Sequence, residues 1–194
     1  MIKRVCVFCG SSKGFRPAYV EAAHDMANVL VRRGAGLVYG GGCVGLMGEL
    51  ADTVMAGGGE VIGVIPQALV AREVGHRGIT QLLIVRSMHE RKSKMMELAD
   101  AFVAMPGGFG TFEEFCEVIT WAQLGLHQKP CGLLNVEGYY DSLLNLFNKG
   151  VDDGFIHPST RELVLDATDP DVLLDKLSYY KPPIVEKWIE RDEA

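Results

Sequence analysis

The sequence has no long apolar run, no basic tract, no His-Glu-x-x-His pattern, no internal repeat and no linker-like stretch. Each absence excludes a class of function. Apolar segments are soon broken by glycine or charge, well short of the roughly 20 residues that span a bilayer, so no membrane partner is expected. The opening MIKRVCVFCG runs straight into a strand pattern. It lacks the apolar stretch and small-residue cleavage site of a secretory leader, which points to the cytoplasm. The formal net charge is −6. Phosphate backbones demand a positive surface, so nucleic acid is not the expected partner. The five histidines show no ligand spacing, and neither a metal nor an organic cofactor is expected. Five scattered cysteines, Cys6, Cys9, Cys43, Cys116 and Cys131, suit a reducing compartment better than a disulfide framework. Cys6 and Cys9 form a CxxC within a strand pattern, where they point to opposite faces and read as buried structural thiols.

What is present is a core-rich chain of 194 residues, 48% hydrophobic, enough for one domain. Apolar strand patterns fall at 3–9, 36–39, 61–65, 79–85, 101–105, 129–136 and 163–165. Helical periodicity falls between them at 17–33, 46–56, 87–99, 112–125, 139–151 and, last, 170–177. The segment 67–78 is charged and carries no firm period. Alternating strands and helices predict an α/β, Rossmann-like domain over 1–180. It comprises a parallel sheet of about seven strands with helices on both faces. Residues 181–194 form a charged tail holding Trp188. Ligands of such sheets bind at the carboxyl ends of the strands, so the turns after the first, second, fourth and fifth strands should converge.

Those turns carry the chemistry. PGGFGTFEE, Pro106 to Glu114, reads as strand, glycine turn, helix. That order aims free N–H groups and the positive helix end at one point, a seat for an anion. Glu113 and Glu114 lie beside it. Thr111 and Glu114 also spell a T-x-x-E capping box, so Glu114 is either a cap or a functional carboxylate. After the first strand, Ser11 and Ser12 either bond a ligand phosphate or hydroxyl or make an ordinary turn. Gly40, Gly42 and Gly45 spell GxGxxG around Gly41, but no acidic residue closes the next strand as dinucleotide binding requires. A mononucleotide phosphate turn fits better than NAD. In the helix at 87–99, capped by Ser87 and Glu90, Arg91 and Lys92 flank a stripe of Met88, Met95 and Ala99. The basic pair either faces an anion or snorkels outward.

Together MHERK, GGCVGLMG, PGGFGTFEE and VITWAQLGLHQKPCGLLNVEGYYDSL resemble the Lonely Guy family of cytokinin riboside 5′-monophosphate phosphoribohydrolases. The resemblance runs from CVFCGSS to about DDGFIHP. It implies a Rossmann-like homodimer that takes a nucleoside 5′-monophosphate and hydrolyses the N-glycosidic bond of N6-modified AMP, and of AMP, to free base and ribose 5-phosphate. By that resemblance Arg91 and Glu114 are the catalytic pair. Glu73, Lys92, Gly108, Phe109, Gly110, Thr111, Phe112, Glu113 and Thr120 contact substrate, while Met88, Phe109 and Trp121 are candidates for the base pocket. Related sequences are often labelled lysine decarboxylases. That chemistry needs a pyridoxal-type cofactor on a lysine, and no lysine here has a suitable context. The other class open to the same glycine loops is a nucleotide or cofactor carrier without hydrolysis, which would not require Arg91 and Glu114 as a pair.

Overall fold

The computed structural model of the chain describes residues 2–70 and 75–183. Its strands are β1 (Arg4–Phe8), β2 (Gly36–Tyr39), β3 (Val61–Pro66), β4 (Gln81–Val85), β5 (Ala101–Ala104), β6 (Cys131–Leu134) and β7 (Val164–Ala167). They pair in one parallel sheet of seven strands, in the order β4-β3-β2-β1-β5-β6-β7. The helices are α1 (Pro17–Arg33), α2 (Gly45–Ala56), α3 (Gln67–Val70), α4 (Met88–Leu98), α5 (Phe109–Gln123), α6 (Asp141–Asp152), α7 (Pro158–Arg161) and α8 (Pro170–Ser178). Among the described residues no helix is long and apolar enough to cross a membrane.

The five inner strands are buried almost throughout, which is why they read as continuous apolar runs. Alternate side chains feed two cores. Val5, Val7, Val103 and Met105 pack under α1, α2 and α8, while Cys6, Phe8, Phe102 and Ala104 pack under α4 and α5. Cys6 and Cys9 therefore do face opposite layers, both buried and unbridged. Each fully buried Leu, Val or Phe in these layers contributes roughly 1.5–3 kcal/mol.

The chain adds strands outward from β1 to β4, then returns and adds β5 to β7 on the other side of β1. Right-handed crossovers place the connecting helices on one face before the reversal and on the other after it. The reversal opens a crevice between the carboxyl ends of β1 and β5.

Helix α1 spans the predicted residues and closes at Gly34, whose φ of 65° suits a residue without a Cβ. Helix α5 differs. It begins at Phe109 rather than at residue 112, its N-cap is Gly108, and no side chain caps it. Thr111 and Glu114 therefore do not form the T-x-x-E capping box, because Thr111 already lies inside the first turn. The periodicity also left out α3, the short α7 and a 3-10 turn at Val136–Gly138. One turn of helix offers too few apolar positions to show a period. The tail residues 184–194, Trp188 among them, lie outside the described residues.

Candidate active site

Helix α5 owes its open end to glycine. The first helical bond there runs from Phe112 N to Gly108 O at 3.1 Å. The amides of Phe109, Gly110 and Thr111 precede it and have no intrahelical acceptor. A Cβ on Gly108 or Gly110 would meet no protein atom within 4 Å, so the missing side chains leave open volume beside those amides. Gly107 is the opposite case. A Cβ there would fall 2.1 Å from Thr111 Oγ1 and 2.9 Å from Gly10 N, so the turn closes tightly against the β1 loop.

Arg91 comes from the first turn of α4. Ser87 Oγ caps that helix by accepting from Glu90 N at 3.1 Å, and Glu90 Oε2 reaches back to accept from Arg86 N at 2.7 Å. The guanidinium does not snorkel, as Arg91 is only 7% exposed. Its Nε donates to Val64 O at 3.1 Å and its Nη2 to Gly40 O at 3.1 Å, at the carboxyl ends of β3 and β2. These carbonyls fix two edges of the fork, while Nη1 donates to Met88 Sδ at 3.8 Å and lies 3.8 Å from Glu114 Oε1. A Cβ on Gly40 would lie 2.0 Å from Nη2. The first glycine of the apparent fingerprint is thus the floor on which Arg91 rests. Met88, predicted in the apolar stripe, is instead 41% exposed, and Arg91 occupies the buried side with Met95.

Glu114 lies four residues beyond Gly110, about 6 Å along the helix axis, and its side chain leans back toward the N-terminus. That side chain is only 12% exposed. Burial pushes its carboxyl up to about 7, while the Arg91 charge pulls in the other direction. At 3.8 Å the two groups attract but are not directly hydrogen-bonded. They share a cavity of about 250 Å³ with Gly10, Ser11, Gly40 and Thr111. The result is a buried carboxylate, a guanidinium and a helix N-terminus aimed at one volume. Such a volume can hold an anion at one end and stabilise or transfer charge at the other.

The remaining predicted residues divide by location. Gly108, Phe109, Gly110 and Thr111 line the cavity with Ser11. Phe109 is 91% exposed at its mouth, edge-on to Phe112. Ser12 lines an adjoining space of about 270 Å³ with Tyr19, Leu46 and Tyr139. Lys92 turns along α5 and donates to Glu113 at 2.6 Å and Glu117 at 2.9 Å, so Lys92 and Glu113 neutralise each other beside the cavity. Thr120 lies farther along α5 and lines a separate apolar cavity with Phe147 and Ile156. Gly41, Gly42 and Gly45 serve backbone packing. A Cβ on Gly41 would crowd Ile65 and Leu82, and one on Gly45 would fall 2.2 Å from the Ser11 carbonyl carbon. Gly42 bridges to Gly75. Glu73 lies outside the described residues. Gly40 was missed as a site residue, since its role depends on a side chain 51 positions away.

Residues 47–177 match the family described as "Possible lysine decarboxylase". The chain is 53% identical, over 93% of its length and 83% of the relative's, to cytokinin riboside 5′-monophosphate phosphoribohydrolase LOG7 of Arabidopsis thaliana. It is 51% identical, over 93% of its length and 84% of the relative's, to LOG3 of the same plant, which carries the same activity name. Among solved structures it resembles the molybdenum cofactor carrier protein of Chlamydomonas reinhardtii. There the TM-score is 0.69 and the identity 19%, over 91% of this chain and 98% of that one, a likeness of fold alone. The decarboxylase label attaches to the wide family, whereas the relatives at half identity are phosphoribohydrolases. At that identity and coverage the chain belongs to the Lonely Guy family of cytokinin riboside 5′-monophosphate phosphoribohydrolases.

Proposed function

We propose that residues 1–180 form one nucleotide-hydrolase domain. It cleaves the N-glycosidic bond of cytokinin riboside 5′-monophosphates, and of AMP, releasing free base and ribose 5-phosphate. The observation that carries this reading is the Arg91–Glu114 pair, 3.8 Å apart in the same cavity as the α5 N-terminus. A carrier needs the anion seat but not a buried carboxylate one turn away from it.

The 5′-phosphate sits at the amides that open α5, where the helix dipole and the missing side chains of Gly108 and Gly110 favour it. Anchoring the phosphate sets the ribose across the turn that separates Gly110 from Glu114, so C1′ comes to the carboxylate. Breaking the C1′–N bond leaves positive charge on the sugar. The base departs with the electron pair of that bond. The Glu114 carboxylate stabilises the charge on the sugar and takes a proton from the water that attacks C1′. That proton passes on to the departed base, which restores the carboxylate. Arg91 Nη1 contacts ribose or phosphate oxygens by charge-assisted hydrogen bonds. Lys92 and Glu113 form the polar wall beside the seat, and Phe109 offers a ring to the base.

Two further readings belong here. A homodimer is supported by α6, an amphipathic helix with no fully buried residue, and by Leu146 and Phe155, 63% and 87% exposed. A cytoplasmic location is supported by five free thiols. The catalytic reading is tested by incubating the protein with AMP or isopentenyl-AMP and measuring free base. Glu114→Gln and Arg91→Ala should each remove at least about 100-fold of turnover while remaining folded. Base release near the wild-type rate from either variant would end the assignment.

A further inference from the structure

Three successive carbonyl oxygens of the turn before α5 are each held by a donor from elsewhere in the chain. Tyr140 Oη donates to Met105 O at 2.7 Å, Gly10 N donates to Pro106 O at 3.0 Å, and Tyr139 Oη donates to Gly107 O. Two of these donors are neighbouring tyrosines in the β6–α6 connection, more than 30 residues along the chain.

That connection is itself braced. Asn135 Oδ1 accepts from Tyr140 N, and Asn135 Nδ2 donates to Asp141 Oδ1, both at 2.7 Å. Glu137 holds a φ of 48°, an unusual conformation for a residue with a Cβ, and its carboxylate accepts from Arg16 at 2.8 Å. The Tyr139 ring lies against Phe112 of α5 at a centroid distance of 6.4 Å and edge-on to Tyr140 at 5.1 Å.

Peptide planarity makes these contacts directional. In a trans peptide the carbonyl and the following N–H point in opposite directions. Holding Gly107 O on one side therefore sets Gly108 N–H on the other. The Gly107–Gly108 peptide joins two residues without side chains, so it is the link of the turn most able to flip. Pro106, the neighbouring residue, has no N–H to contribute. Tyr139 is thus the group that selects which way this peptide faces, and Tyr140 steadies the strand end behind it.

We infer that Tyr139 is a positioning residue, with Tyr140 as its support, that locks the Gly107–Gly108 peptide with its N–H presented to the 5′-phosphate. The inference rests on the phosphate seat proposed above. Tyr139→Phe keeps the ring and removes only the hydroxyl. The KM for AMP should rise about tenfold, the loss of one charge-assisted hydrogen bond, with kcat within about threefold of wild type. The inhibition constant of ribose 5-phosphate should rise in parallel with KM, and that of free adenine should stay unchanged. Tyr140→Phe should shift the same constants in the same direction by less. A merely structural role predicts a lower kcat from a smaller active fraction, with both inhibition constants unchanged. That result overturns the inference, as does equal weakening of ribose 5-phosphate and adenine. If ribose 5-phosphate fails to inhibit the wild type, the phosphate seat itself is wrong and the inference falls with it. Inhibition of the wild type with unchanged constants in both variants removes the tyrosine inference alone.

Discussion

A carboxyl group removed from water resists ionisation, and a guanidinium nearby only partly restores it. Glu114 sits in that balance, pushed by burial from 4.5 up to about 7 with Arg91 opposing the shift. The proposed reaction uses the ionised form, so kcat/KM for AMP should climb as pH rises through about 7. A pH–rate profile whose acid limb lies in the ordinary carboxylate range would contradict that role. Stability should move the other way. The folded value exceeds the unfolded one, so the stabilising contribution is complete below about 4.5 and is lost as pH rises through about 7. Glu114→Gln is neutral at every pH. It should match the wild type near pH 4 and exceed it by on the order of 3 kcal/mol near pH 8, read from urea unfolding. Equal differences at both pH values would show that Glu114 is not held against its ionisation.

At the scale of elements, strand–turn–helix units deliver each group from a separate part of the chain. The apolar strands and the limits of α1 are legible in sequence because burial, Pro17 and Gly34 mark them. The start of α5 is not. Glycines 108 and 110 look like turn residues, and Thr111 with Glu114 imitates a capping box. The helix instead starts at Phe109, with its amides uncovered. Arg91 shows a different limit. Its helix and its charge are visible in sequence, but its burial depends on the carbonyls of Gly40 and Val64, 51 and 27 positions away in the chain. The tyrosines that brace the turn reach back in the same manner and leave no local pattern. Gly40→Ala tests the link between β2 and the site. Its new Cβ would lie 2.0 Å from Arg91 Nη2 and displace the guanidinium. Turnover should fall by about 100-fold, since small displacements of reacting groups have that effect. Near-normal base release from a folded Gly40→Ala protein would show that Arg91 need not stand where β2 places it.

For the whole molecule, the reversal of strand order at β1 and β5 determines where the site opens. The alternation of strand and helix predicts a parallel sheet with its turns converging at the carboxyl ends, but not the strand order that places the reversal between β1 and β5. The surface proposed to meet a second copy is not legible in the same way, because apolar residues on α6 look like core residues until the fold leaves them uncovered. Light scattering should give twice the chain mass for the wild type. Leu146→Glu, which places a charge on that exposed face, should shift the protein to the monomer mass. A wild-type monomer would remove the dimer. The central claim is that a phosphate held at the head of α5 brings C1′ to Glu114. It is tested most directly by comparing kcat/KM for isopentenyl-AMP with that for the unphosphorylated riboside. The account predicts that the monophosphate is favoured by at least about 1000-fold, because binding at the phosphate is what places the sugar. Hydrolysis of the riboside within about tenfold of the monophosphate would contradict it.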